Sequence, residues 1–247
     1  GGPRFARLVE WANEFTSRGW VSFSIAYRLR DMHGSYPASW GERLDREYPE
    51  YAELGRMIYP AVRDAKAAVR WLRAHADTYQ VDPDHIAVFG ASAGAVIAVA
   101  LAVTSDEQYR DELTLEQDPT LATTHLDRSA RVQSVISLSG SDGAVRLLDQ
   151  MTDISSFDAT DAPLVLIHGT EDQVVPFAEA ENLREQYATT GVALSLYPLE
   201  GMGHSQPKWR ATYDGKRLPQ LAQEFVIAQH RLTVADAAAA ERAADNP

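Results

Sequence analysis

The chain has 247 residues, a formal net charge of −12 and no cysteine. That length suits a single α/β domain with a large core. The acidic balance argues against nucleic acid and anionic membrane surfaces as partners, because both attract an excess of lysine and arginine. Without cysteine there is no disulfide, no thiolate metal site and no cysteine nucleophile, and no apolar run approaches the length of a membrane span.

Strand-like and helix-like patterns alternate along the chain, which predicts an α/β fold with a mostly parallel sheet and helices on both faces. The predicted elements, in chain order, are a helix over residues 5–16, a strand over 21–27, a helix over 58–72, a strand ending at 89, a helix over 95–103, strands near 132–138 and 164–167, a helix over 177–187, a strand over 192–197 and a helix over 221–232. One domain would cover residues 1–232, and the alanine-rich, charged residues 233–247 would form a solvated tail.

Three segments, over residues 30–59, 105–130 and 141–161, are too long to be simple connections and are candidates for lids or pocket walls. Two interpretations of the aromatic residues in the first segment remain open. They pack beneath a long loop, which needs a small core of its own, or they form a wall that binds an acyl or aromatic group. These residues are His33, Tyr36, Trp40, Tyr48 and Tyr51.

Residues 90–94 read Gly-Ala-Ser-Ala-Gly, between the apolar run that ends at Phe89 and the small-residue helix that follows. A strand, a sharp turn and a helix are the context in which G-x-S-x-G acts as a nucleophile elbow. The glycines allow the turn, the Ser92 oxygen is exposed at the top of the sheet, and the helix N-terminus directs N–H groups at an oxyanion. The motif therefore predicts that Ser92 is a nucleophile.

A serine nucleophile needs a base and an acid. When the serine lies in such an elbow, the two should follow it along the chain in the order acid, then histidine. Asp172 comes just after the predicted strand at 164–167, and His204 comes just after the one at 192–197. Both are therefore expected at the carboxyl ends of strands, where open α/β sheets place their sites. His204 would take the serine proton, and Asp172 would hold the imidazole and stabilise its charged form.

Other assignments stay open beside this one. Ser139 and Ser141 also follow a strand but lack the glycine spacing of an elbow, and His168 ends an apolar strand, as a hydrogen-bonded structural histidine would. A rival acid could come from the loop after that serine pair. The candidates for that acid are Asp142, Asp149, Asp153 and Asp158. No H-E-x-x-H motif or carboxylate cluster suggests a metal site.

The motifs together resemble those of α/β-hydrolases, and within that fold the chain is similar to bacterial carboxylesterases of the hormone-sensitive-lipase-like and feruloyl-esterase-like groups. The matching stretches lie at residues 19–29, 64–72, 82–94, 168–172 and 203–204. The likeness covers most of residues 1–230, and it is specific at the three catalytic motifs and weak in the loops between them.

The resemblance implies a serine esterase that works without a cofactor on a small-molecule ester. It also implies that the oxyanion is held by the N–H of Ala93 and by an N–H from a His-Gly-Gly-Gly motif, to which Gly1 or Gly2 would correspond. Relatives have strands upstream of that motif, so the resemblance predicts a longer protein whose N-terminal strands are absent from this chain. We then expect residues 1–247 alone to be aggregated or inactive.

Two other functions remain as alternatives to the esterase hypothesis. The same triad on the same fold also serves peptidases of the prolyl-oligopeptidase type, and some members of the fold are catalytically silent binding or scaffold proteins. A complete set of nucleophile, acid and base favours an enzyme over the silent alternative.

Overall fold

The computed structural model describes residues 3–29, 32, 34–204 and 211–234, and for residues 3–8 it describes the backbone only. Its centre is a four-stranded parallel sheet whose strands lie side by side in chain order. Each strand pairs with the next one in the chain, for example Phe89 with Ile136 and Ile136 with Val165. The predicted parallel sheet is thereby confirmed. The strands are β1 (Ala87–Ala91), β2 (Ser134–Leu138), β3 (Leu164–Gly169) and β4 (Leu194–Leu199), and a short antiparallel pair comprises β5 (Thr212–Tyr213) and β6 (Lys216–Arg217).

Helices connect and cover these strands, and the predicted helices are confirmed apart from shifts at their ends. The described helices are α1 (Pro3–Thr16), α2 (Ala38–Glu47), α3 (Ala52–Ala74), α4 (Ala76–Tyr79), α5 (Ala93–Val103), α6 (Gly143–Thr152), α7 (Phe177–Thr190) and α8 (Leu218–Gln229). Two 3₁₀ turns, Pro49–Tyr51 and Pro119–Thr123, lie in the long segments.

Alternating side chains of the central strands enter two separate cores, because successive residues of a strand point to opposite faces. On one face Val135 and Leu164 pack with α3, α5, α6 and α7. On the other face Ile136 and Val165 pack with α8 and with Trp11 of α1, whose ring stacks on Phe89 at 4.7 Å. The sheet is therefore covered on both faces, as the sequence pattern predicts.

The predicted strand over residues 21–27 is wrong as a secondary-structure assignment. The segment is extended, but none of its residues pairs with a strand in the described part of the chain. Val21, Phe23 and Ile25 are 48%, 40% and 45% exposed. A strand needs ladder partners for its N–H and C=O groups, and here alternation of apolar residues is present without a partner strand among the described residues.

Some aromatic side chains of the first long segment pack in a core, and others are exposed to solvent. Tyr36 and Trp40 make edge-on contacts of 5.2 Å with Tyr59 of α3, and Trp40 is buried. Tyr109 of the second long segment joins them 5.5 Å from Tyr59. Tyr51 is 54% exposed. The packing interpretation therefore holds for Tyr36 and Trp40, whereas His33 lies outside the described residues.

Candidate active site

Ser92 lies in the turn between β1 and α5, as the elbow motif predicts. Its backbone has φ 52° and ψ −120°, a conformation that a residue with a side chain rarely adopts. The turn also brings Gly90 against the first turn of α5, where a Cβ would lie 2.1 Å from the Gly94 carbonyl oxygen. Position 90 therefore requires glycine, whereas a Cβ on Gly94 would come no closer than 3.8 Å to a described neighbour.

The structure brings Ser92, His204 and Asp172 together, although 112 and 32 residues separate the two bonded pairs. His204 Nε2 lies 2.9 Å from Ser92 Oγ. His204 Nδ1 lies 2.8 Å from Asp172 Oδ2 and 3.0 Å from Oδ1. One imidazole thus bridges the serine hydroxyl and the carboxylate.

Asp172 follows β3 in a loop that encloses its carboxylate completely, with no side-chain surface exposed. Its Oδ1 accepts hydrogen bonds from the backbone N–H groups of Val174 at 3.0 Å and Val175 at 2.9 Å. Burial acts to raise the pKa of Asp172, but the Val175 N–H, His204 and the Val174 N–H together outweigh burial and lower that pKa to about 2. The carboxylate is therefore ionised at neutral pH.

An ionised Asp172 determines which nitrogen of His204 carries the proton. A carboxylate accepts hydrogen bonds, so Nδ1 carries the hydrogen and donates it to Asp172. In the neutral ring Nε2 is then an acceptor directed at the Ser92 hydroxyl. This assignment follows from the bonding partners, and it lets His204 remove the serine proton while Asp172 stabilises the resulting charge.

The N–H groups available for an oxyanion lie at the start of α5. Ala93 is the first residue of that helix and is exposed, and the first N–H groups of a helix have no acceptor within it. The positive end of the helix dipole adds to the attraction for negative charge at this position. Gly1 and Gly2, the other predicted donors, lie outside the described residues.

The rival serines are less accessible than Ser92. Ser139 and Ser141 are 3% and 8% exposed, and the Ser141 hydroxyl accepts a hydrogen bond from the Gly143 N–H at 3.2 Å. Ser139 has φ 53°, so a strained backbone occurs at the end of β2 as well as at the elbow.

The four rival aspartates each have partners away from His204. Asn182 donates to Asp142 at 2.9 Å, and Arg146 forms an ion pair with Asp142. Asp149 accepts from Ser156, Asp153 pairs with Arg43, and Asp158 accepts from Thr160.

Two donors to the acid were missed by sequence reasoning. The Val174 and Val175 N–H groups reach back to the carboxylate two and three residues before them, as in the turns that aspartate favours. The signal present in the sequence is Asp172 itself, because an aspartate in a loop commonly accepts a hydrogen bond from the backbone two residues further on.

Within the described ranges, no three His, Asp or Glu side chains are grouped so that they could hold a metal ion. The same residues include no helix that combines the length and apolar character needed to cross a bilayer.

Two family models match overlapping parts of the chain. The family model described as Phospholipase/Carboxylesterase matches residues 120–210, which include the positions of Asp172 and His204. The BD-FAE family model matches residues 48–155, which include the elbow.

Two curated relatives come from Mycobacterium tuberculosis (strain ATCC 25618 / H37Rv). Esterase LipC is 26% identical in an alignment of 221 positions that covers 82% of this chain and 49% of LipC. The uncharacterized protein Rv2307c is 30% identical in an alignment of 172 positions that covers 66% of this chain and 51% of that protein. The chain spans about half the length of these relatives.

A thermophilic esterase, Est2 of Thermogutta terrifontis, has a similar solved structure. In its propionate-bound form it matches this chain with a TM-score of 0.62 and 22% identity, over 94% of this chain and 80% of that one. At this identity the match establishes a shared fold.

Proposed function

We propose, from the premise that this chain is an α/β-hydrolase similar to bacterial carboxylesterases, that it hydrolyses carboxylic esters through an acyl-enzyme. The observation that supports this most is the bridge formed by His204, 2.9 Å from Ser92 Oγ and 2.8 Å from Asp172 Oδ2. LipC and Est2, to which the chain is similar, are both named as esterases. The substrate is a small-molecule ester, and the reaction needs no cofactor.

In the first half of the reaction Ser92 Oγ attacks the ester carbonyl carbon while His204 Nε2 takes the hydroxyl proton. The carbonyl π electrons move to its oxygen. Asp172 keeps the imidazole oriented and stabilises its positive charge. When the tetrahedral intermediate collapses, the C–O bond to the alcohol breaks and His204 gives its proton to the departing oxygen.

In the second half a water molecule replaces the alcohol. His204 removes a proton from the water, whose oxygen attacks the acyl carbon, and Ser92 leaves with a proton from His204. The carboxylic acid is released. The developing oxyanion in both halves would be held by the Ala93 N–H and by one from Gly1 or Gly2, and loss of one such donor costs on the order of 10²–10³-fold in kcat.

The test measures hydrolysis of p-nitrophenyl esters of graded acyl length, with one aminoacyl p-nitroanilide as the amide substrate. We expect ester turnover to exceed amide turnover. Ser92→Ala should then lose on the order of 10⁴-fold or more in kcat, because the covalent step has no other nucleophile.

Ser141→Ala is the matched control, since it removes a nearby hydroxyl that follows the adjacent strand, and it should keep activity within a few-fold. Preference for the amide would favour the peptidase alternative. Full ester activity in Ser92→Ala would contradict the proposal.

A further inference from the structure

A second histidine lies against the acid loop at the end of β3. His168 is 1% exposed, and its Nε2 lies 2.8 Å from the carbonyl oxygen of Val175. A carbonyl oxygen accepts hydrogen bonds, so this Nε2 carries a hydrogen and donates it. The same nitrogen lies 3.7 Å from Asp172 Oδ2. The Asp172 carboxylate therefore has an imidazole of His204 and one of His168 beside it.

Val175 is held at both of its backbone polar groups. Its N–H donates to Asp172 Oδ1 at 2.9 Å, and its carbonyl oxygen accepts from His168 at 2.8 Å. Pro176 follows, and a residue before proline is restricted to extended backbone angles. That restriction limits rotation between the two peptide planes that meet at the Val175 Cα, so a displacement of the carbonyl away from His168 is passed on to the N–H. Among the hydrogen bonds that lower the pKa of Asp172 against burial, that of Val175 contributes most.

Packing surrounds His168 on several sides. It lies in β3, a strand buried along its whole length, and its register partner on β4 is Pro198. Its ring meets that of Phe177, the first residue of α7, edge-on at 5.9 Å. His168 thus links the end of β3, the acid loop and the start of α7.

We infer that His168 is a positioning residue: it fixes Val175, and through the Val175 N–H it fixes the Asp172 carboxylate in the orientation that receives His204 Nδ1–H. It does not touch the reacting atoms. This inference rests on the proposed function, since it gives a role to the environment of the same acid.

The test compares His168→Leu, which removes the donor, with His168→Gln, whose Nε2 can still reach the Val175 carbonyl. With p-nitrophenyl acetate as substrate we expect His168→Leu to lose about 10–100-fold in kcat with little change in KM, since a displaced catalytic group costs rate. His168→Gln should recover most of the lost kcat.

A second readout does not depend on turnover. In the proton NMR spectrum the downfield signal of His204 Nδ1–H should weaken or disappear in His168→Leu and persist in His168→Gln. The matched control is His230→Leu. His230 is another buried histidine, bonded to Ser134 Oγ at 2.8 Å at the opposite end of β2. It should lower the melting temperature and leave kcat and the signal unchanged.

Three results would overturn the inference: kcat of His168→Leu within twofold of the wild type, equal losses in His168→Leu and His168→Gln, or a His204 signal unchanged in both. If His168→Leu does not fold, His168→Gln is compared with His168→Asn, whose shorter amide does not reach Val175. Equal activity of those two variants would likewise overturn it. An inactive wild type that keeps the signal pattern would contradict the proposed function and leave the positioning role supported.

Discussion

Strand β2 and the extended segment over residues 21–27 have similar sequences but opposite surroundings. Both are short runs of apolar and serine residues, yet β2 pairs with a strand on each side, and Val135 and Ile136 are at most 1% exposed. In the segment Phe23 and Ile25 are at least 40% exposed, and no described strand pairs with it. A β-prone pattern therefore predicts where a strand can form, and a neighbouring backbone decides whether it does.

The three candidate catalytic residues, Ser92, Asp172 and His204, all follow strands of the paired region. The Ser92 N–H donates to the Leu138 carbonyl of β2 at 2.9 Å, and the Ser139 N–H donates to Ile167 of β3 at 2.9 Å. Adjacent strand ends are thus held at fixed positions relative to each other, and the loops that carry Asp172 and His204 begin there. The extended segment is anchored differently, by a bidentate ion pair of Arg28 with Asp64 on α3.

Of the substitutions considered for the two regions, Asp172→Asn should have the largest effect, because it takes away the carboxylate that accepts the hydrogen bond of His204 Nδ1. Asparagine can donate to His204 Nδ1 and so favours the wrong tautomer, which should lower kcat roughly 10⁴-fold at neutral pH with little change in folding. Ester hydrolysis and far-UV circular dichroism measure the two effects. Near-normal activity would instead direct the search for the acid to Asp142, Asp149, Asp153 or Asp158.

The same substitution at one isoleucine in each region tests whether β2 is packed more tightly than residues 21–27. Ile136→Ala in β2 should lower the free energy of unfolding by about 2–5 kcal/mol, because it leaves a cavity in the core. Ile25→Ala in the segment should cost less than about 1 kcal/mol, because the side chain is 45% exposed. Urea denaturation measures both. Equal losses would mean that residues 21–27 are packed as tightly as β2.

A smaller effect concerns pH and the buried His230 at the amino end of β2. Burial and then the charge of His85 lower the pKa of His230 to about 4, against an unfolded value of about 6.5. The neutral form is therefore favoured by folding. Its contribution is complete above the unfolded pKa and is lost as the pH falls from about 6.5 to 4, amounting at most to the order of 3 kcal/mol.

Urea denaturation between pH 4 and 8 tests this linkage, with His230→Gln as the matched variant. The wild type should lose stability more steeply than His230→Gln as the pH falls. Identical slopes would show that His230 does not titrate in this way. Asp82 lies 2.9 Å from His85 and is the other charged group to consider in that comparison.

Sequence reasoning predicted the parallel sheet and the order of nucleophile, acid and base, because elbow, strand and loop signals are local. Ser92, Asp172 and His204 are brought together by strand ends that the alternation of elements already implied. That residues 21–27 pair with no strand in the described part of the chain could not be predicted, since pairing depends on a distant backbone. Nor could the link from His168 to Val175 be predicted, because the direction of a buried ring follows from packing.

Labelling with an organophosphonate followed by peptide mapping identifies the nucleophile, which we expect to be Ser92. An acyl-enzyme mechanism requires that the reagent phosphonylate the serine that His204 activates. We expect one adduct, on the peptide that contains Ser92, and its loss in Asp172→Asn or Ser92→Ala. An adduct on Ser139 or Ser141, or no adduct on an enzyme that hydrolyses esters, would contradict it.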